Sequence, residues 1–214
     1  MNKFFQKNLK TAERLAEFRI VPVLVLNSVE EGLKWGGLLS SNGLAVAEIT
    51  FRTKAAPEII RALTSEFPDL YVGAGTVLNP ADLKLAKDAG AAFAVAPGFN
   101  PAIVRAAAEL DMAFAPGIMT PGEIEQAFAL GCPFLKFFPA EAAGGVKLLK
   151  AMAQPYRHLG IKFMPTGGVS VENAAEYLAV PEIAAVGGTW LAKAAAPAEA
   201  IRNAVNLAQG ERKC

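Results

Sequence analysis

Eight short apolar runs punctuate the chain, each ending in glycine, proline or small polar residues. They are IVPVLVL (20–26), LAVAEITF (44–51), YVGAGTV (71–77), FAVAPG (93–98), AFAPGI (113–118), FLKFFPA (134–140), KFMPTGG (162–168) and IAAVGGTW (183–190). Runs of this length with such punctuation read as strands. Between them lie segments rich in alanine, leucine and glutamate, such as SVEEGLKWGGLLSS, PADLKLAKDAG, PAIVRAAAELD and PGEIEQAFALG. Several open with proline near the first turn and close with glycine, the ordinary punctuation of helices. The repeating unit is strand, loop, helix. Eight units at a spacing of roughly 20 to 28 residues predict an α/β protein built as a single closed (β/α)8 TIM barrel, near the short end of the size range. An open doubly wound sheet uses the same units. It is disfavoured by the lack of a GxGxxG turn after the first strand and of an obvious switch point.

The barrel is expected to occupy residues 1–214 as one domain, because no low-complexity linker interrupts the units and 53% of the 214 residues are hydrophobic. Ahead of the first strand, MNKFFQKNLKTAERLAEF predicts an amphipathic helix over about 1–18, with Phe5, Leu9, Ala12, Leu15 and Ala16 packed on the domain. Charges every few residues deny this segment the apolar run of a signal peptide or a membrane span.

Charge excludes whole classes of partner. Twenty-one Lys and Arg nearly balance 20 Asp and Glu, for a net charge of +1, so there is no bulk attraction for nucleic acid or an anionic membrane. Attraction for anions must be local. The two cysteines, Cys132 and Cys214, form no CxxC pair and lack the density of a disulfide scaffold, which fits a reducing cytoplasm.

Two charged residues interrupt the apolar runs where chemistry is expected. In LAVAEITFR, positions Val46, Glu48, Thr50 and Arg52 share one parity. With Ala47, Ile49 and Phe51 packed on the helices, Glu48 and Arg52 point inward or toward the mouth. On the sixth run Lys136 falls with Phe134 and Phe138, leaving Leu135 and Phe137 for the opposite face. One reading makes Lys136 and Glu48 a buried ion pair that only holds register, although such pairs contribute little net stability over apolar replacements. The other is covalent. Desolvation disfavours the charged form of an amine, and a neutral amine attacks a carbonyl to give a Schiff base, an electron sink that needs no metal. Glu48, the one acidic residue inside the eight runs, is then the natural proton shuttle.

Around this pair, Arg52 offers a planar fork for a carboxylate, and Thr76 stands at a strand end as a hydroxyl donor. PTGGV (165–169) and VGGTW (186–190) place two glycine pairs after the last two runs, where barrels often hold phosphate on backbone N–H groups. Gly167, Gly168 and the hydroxyls of Thr166 and Thr189 are the candidates. The sole histidine, His158, precedes the seventh run and reads as surface, so neither a histidine-clustered zinc site nor a Ser-His-Asp triad can be assembled at the mouth. Cys132 precedes the sixth run and reads as packing.

Taken in order, AEITFRT, GAGTVLNP, PGIMTP, KFFPAE, GGVKLLKAMAQP, PTGGVS and GGTW resemble the 2-keto-3-deoxy-6-phosphogluconate (KDPG) and 4-hydroxy-2-oxoglutarate (KHG) aldolases, over roughly residues 10 to 205. The resemblance implies a class I aldolase on a TIM barrel, a homotrimer without cofactor or metal, cleaving KDPG to pyruvate and glyceraldehyde 3-phosphate in the Entner-Doudoroff pathway. It implies Lys136 as the Schiff-base lysine and Glu48 as proton shuttle. Arg52 and Thr76 would contact the pyruvate portion, and Gly167, Gly168 and Thr189 the phosphate. Thr189 departs mildly from the serine common in the family but keeps the hydroxyl, and Thr166 favours the gluconate over the galactonate epimer. The partners implied are a small-molecule 2-keto acid and a sugar phosphate. From the residues alone, two rivals stay open: a phosphosugar isomerase or epimerase barrel, and a noncatalytic sugar-phosphate-binding or assembly module.

Overall fold

The computed structural model describes residues 2–210; Cys214 lies outside them. A first helix, α1 (Lys3–Phe18), precedes β1 (Ile20–Leu24), α2 (Val29–Ser41), β2 (Val46–Thr50), α3 (Ala56–Glu66) and β3 (Tyr71–Gly75). Then come α4 (Pro80–Asp88), β4 (Phe93–Val95), α5 (Pro101–Glu109), β5 (Ala113–Ala115), β6 (Gly117–Ile118), α6 (Pro121–Ala129) and β7 (Phe134–Phe137). The chain continues through α7 (Ala140–Ala143), α8 (Gly145–Ala153), β8 (Lys162–Pro165), α9 (Ala174–Leu178), β9 (Val186–Gly188) and α10 (Pro197–Gly210). Short 3-10 helices at Gln154–Leu159 and Leu191–Lys193 complete it.

Every strand pair is parallel. Six strands hydrogen-bond in the order β5-β4-β3-β2-β1-β9 and three in the order β6-β7-β8, and together they make a curled α/β sheet. The order follows the sequence without the reversal of a doubly wound sheet, except that β9 returns to lie beside β1. Isolated bridges link Phe163 to Ile183 and Thr166 to Gly187, across the β8 and β9 segments.

Each of the eight predicted runs contains strand, but the fifth contains two. Pro116 divides β5 from β6 because it has no N–H to give the ladder. Its carbonyl still accepts from Lys136 N at 2.9 Å, so β7 stays anchored there.

The predicted helix starts and stops act as read. Asn79 and Asn100 accept from the backbone N–H of Asp82 and Ala102, and a proline opens each following helix. Thr120 and Glu123 form a reciprocal capping box ahead of Pro121. Gly90 and Gly131 end their helical segments with φ of 94° and 91°, a region open to glycine.

The face of α1 differs from expectation. Phe4, Asn8, Thr11, Ala12 and Leu15 are its buried residues, while Phe5, Leu9 and Ala16 are half-buried. The cause is polar. Asn8 donates to Gly131 O at 3.2 Å and accepts from Phe114 N at 2.7 Å, satisfying two backbone groups that burial would otherwise orphan. Hydrophobic periodicity cannot register such a residue, and the buried stripe rotates toward it.

Candidate active site

On β2 all five residues are buried. Glu48 is directed at β3, for a Cβ placed on Gly75 would lie 2.1 Å from Glu48 Oε1, so the missing side chain of Gly75 makes room for the carboxylate. From β7, Lys136 brings its Nζ to 3.2 Å from the same Oε1, and the two side chains are only 6% and 0% exposed. The lysine also lies against the Phe138 ring, 5.8 Å from its centroid. Register fixes its height: Lys136 is level with Gly117 on β6 and Met164 on β8.

Glu48 does not spend all its capacity on this pair. Its Oε2 is buried without a hydrogen-bond partner among the described residues, as is Thr50 Oγ1, two positions along β2 on the same face. Buried polar atoms are normally bonded, and each exception calls for a cause, a catalytic role being one. A carboxylate with one oxygen on an amine and the other free can accept a proton on one side and deliver it on the other.

The amine opens into a cavity of about 410 Å³, within the usual range for small-ligand sites. Arg52, Thr76, Lys136, Thr166, Gly167, Gly168 and Thr189, seven of the eight residues singled out in the sequence, line it, and the eighth, Glu48, is bonded to Lys136. Arg52 stands beyond the end of β2 as an exposed residue. Thr76 has φ of 57°, a strained conformation for a β-branched residue. Gly167 and Gly168 have φ of 94° and 82°. Gly167 N–H faces Gly187 across the Thr166–Gly187 bridge, and the N–H groups of Gly168 and Val169 are left free at the cavity wall, an arrangement that receives an anion.

Close packing shapes this wall. A Cβ on Gly187 would fall 2.5 Å from Thr166 Oγ1, and one on Gly168 would fall 2.5 Å from Glu141 Cβ. Thr166 itself is buried, with its hydroxyl 3.5 Å from Met164 O.

Residues set aside in the sequence stay apart from the site. His158 is exposed on the 3-10 helix Gln154–Leu159. Cys132 is fully buried, and desolvation pushes its thiol up to about 12, which leaves no thiolate for nucleophilic work near neutral pH. Among the described residues no group of three His, Cys, Asp or Glu side chains could hold a metal ion, and no helix is long and apolar enough to cross a membrane.

Sequence reasoning missed part of the lining: Ser170, Trp190 and Lys193. Lys193 sits on the 3-10 helix Leu191–Lys193 just after β9. A short extra helix after the last barrel strand is a recurrent phosphate-site element, so a cation within GGTWLAK was the available signal.

A family model described as KDPG and KHG aldolase matches residues 11–205. The chain belongs to this family. A 2-dehydro-3-deoxy-phosphogluconate aldolase of Haemophilus influenzae is 48% identical over 178 residues, 83% of each chain. Among solved structures, the 2-keto-3-deoxy-6-phosphogluconate aldolase of Zymomonas mobilis ZM4 with 3-phosphoglycerate superposes with a TM-score of 0.83 at 36% identity, covering 96% of this chain and 95% of that one. The KDPG aldolase of Legionella pneumophila, with pyruvate captured as a covalent carbinolamine intermediate, gives 0.82 at 34% identity, covering 93% and 96%. The match to the KDPG and KHG aldolase model spans every cavity residue, from Val23 to Lys193.

Proposed function

We propose that this chain is a class I aldolase that cleaves KDPG to pyruvate and glyceraldehyde 3-phosphate through an imine on Lys136, and that it also takes 4-hydroxy-2-oxoglutarate. The observation that carries the reading is a buried amine, 3.2 Å from a carboxylate, opening into a cavity whose wall presents free backbone N–H groups. A purely structural ion pair has no need of such a cavity. A phosphosugar isomerase has no need of the amine.

In the proposed cycle a proton passes from the Lys136 ammonium to Glu48, and the neutral amine adds to the C2 ketone. A proton moves from nitrogen to the former ketone oxygen, giving a carbinolamine. Glu48 returns its proton to that hydroxyl, water leaves, and an iminium remains. The carboxylate next takes the C4 hydroxyl proton. The C3–C4 bonding pair flows toward nitrogen, C4 departs as the aldehyde carbon of glyceraldehyde 3-phosphate, and the enamine of pyruvate stays on the lysine. Protonation at C3 by Glu48 and hydrolysis of the iminium release pyruvate and restore the amine.

In this reading Arg52 and Thr76 hold the carboxylate end, Thr166 contacts the middle of the chain, and Gly167, Gly168 and Thr189 take the phosphate. Thr166 to Gly168 stand two to four residues beyond the level of Lys136, roughly 7 to 13 Å along the strand direction. That spacing suits a substrate anchored at C2 and at its C6 phosphate, so that remote binding orients the breaking bond. The hydroxyl at Thr166 supports the gluconate epimer.

The architecture we infer is a single (β/α)8 barrel. Here β5 and β6 count as one strand broken at Pro116, and the Phe163–Ile183 and Thr166–Gly187 bridges close the ring. A cytoplasmic homotrimer serving the Entner-Doudoroff pathway completes the reading, supported by the family resemblance.

The test is borohydride reduction with pyruvate followed by peptide mapping, coupled to an assay of KDPG cleavage. One reduced pyruvyl group on the peptide holding Lys136, together with cleavage, is expected. An unmodified protein that interconverts sugar phosphates would favour the isomerase rival.

A further inference from the structure

The loop from Thr166 to Ser170 is pinned from two directions. From β7's end, Ala140 N donates to Thr166 O at 2.8 Å and Glu141 N to Gly167 O at 3.0 Å. From the other side comes one side chain: Asn173 Oδ1 accepts from Ser170 N at 2.8 Å, and Asn173 Nδ2 donates to Gly168 O at 3.2 Å. Asn173 occupies the N-cap position of α9, where an asparagine ordinarily accepts from the helix's own first N–H groups. It makes no such bond. Both of its side-chain hydrogen bonds run backward into the glycine loop.

The consequence lies in which backbone groups it engages. Ser170 N–H and Gly168 C=O are tied to Asn173, while the N–H groups of Gly168 and Val169 stay unengaged at the cavity wall. Two successive residues at positive φ can fold in several ways when both are glycine. The loop therefore needs an external restraint to keep one of them, and a carbonyl turning into the cavity would repel an anion. Tyr177 adds a second brace, because its hydroxyl donates to Glu141 Oε1 and so fixes the side chain packed against Gly168.

The structure assigns to Asn173 the part of a positioning residue that sets specificity for phosphorylated substrates by holding the Gly168 and Val169 N–H groups free for the phosphate. This rests on the aldolase reading above and deepens it. Asn173 touches no reacting atom. Its loss acts on the phosphate end and leaves the imine end intact.

The experiment compares wild-type protein with Asn173→Ala and with Asn173→Asp, which keeps the shape and the bond from Ser170 N–H but not the tether on Gly168 O. KM for KDPG and the inhibition constant of inorganic phosphate are each expected to rise about tenfold in Asn173→Ala, the scale of two lost hydrogen bonds. Turnover at saturation stays within about twofold, and borohydride trapping of pyruvate on Lys136 is unchanged. Asn173→Asp shifts the same two constants in the same direction and serves where the alanine variant does not fold. Unchanged constants, or a loss of turnover and trapping together, would overturn the assignment. A wild-type protein that traps pyruvate but neither cleaves KDPG nor responds to inorganic phosphate would instead overturn the phosphate reading on which it rests.

Discussion

Lys136 Nζ lies 3.2 Å from Glu48 Oε1 although their strands, β7 and β2, belong to different hydrogen-bonded sets. The contact is made through the interior, between residues 88 apart in sequence. Removing one ion of a buried pair leaves the other uncompensated, at a cost of about 3–5 kcal/mol, whereas replacing both is often near neutral. Lys136→Met is therefore expected to lose about that much stability in urea unfolding, and Lys136→Met with Glu48→Gln to recover most of it. Neither variant is expected to trap pyruvate. Equal stability of the single and double variants would mean that the two groups are not coupled.

Gly75 carries a prediction of its own. Its absent side chain is what admits the Glu48 carboxylate, since a Cβ would sit 2.1 Å from Oε1 and 2.7 Å from Cγ. Gly75→Ala must displace Glu48 or the strand, costing about 1–3 kcal/mol as overpacking, and kcat should fall about a hundredfold as the proposed shuttle is misplaced. Gly122→Ala is the control, because a Cβ there meets nothing within 4 Å. Steady-state kinetics beside thermal melting separates the two effects.

What the sequence could and could not disclose follows from the range of each interaction. Strands were readable because glycine, proline or small polar residues punctuate the apolar runs; most runs overshoot their strands at the C-terminal end, and the second and eighth also begin ahead of β2 and β9. Glu48 and Lys136 were readable because a lone charge in an apolar run has few explanations. Asn8 was not, for its value depends on Phe114 and Gly131, more than 100 residues away. Asn173 escaped for a related reason: an asparagine before a helix looks like a cap, and only its bonds to Ser170 and Gly168 show otherwise.

At the opposite end of the molecule, Asp111 ties α1 down through Lys3 and Lys7, each at 2.8 Å. Their hydrogen bonds lower its pKa from 3.8 to about 2. A carboxyl whose folded value is depressed binds fewer protons folded than unfolded, so its contribution is present above pH 3.8 and is lost as pH falls toward 2. Asp111→Asn should thus lower the melting temperature slightly at neutral pH and converge with wild type near pH 2. A difference that persists undiminished at pH 2 would place the effect outside this titration.

Thr76 is held in the left-handed region at φ 57° by its neighbours, since Phe51 N donates to Gly75 O at 2.8 Å and Val77 N donates to Val95 O at 3.2 Å. These bonds fix the backbone on both sides of a β-branched residue, at a local cost of about 1–3 kcal/mol. Such strain persists where the side chain it carries is useful, and Thr76 lines the cavity beside Lys136. Glycine relieves the strain but gives back about 0.5–1 kcal/mol in chain entropy. Thr76→Gly is therefore expected to gain about 1 kcal/mol in urea unfolding while kcat/KM for KDPG falls about tenfold, the worth of one lost hydroxyl contact. Stability and activity moving in opposite directions is the signature of strain kept for function. A variant that loses stability and keeps its activity would show that the hydroxyl serves the fold instead.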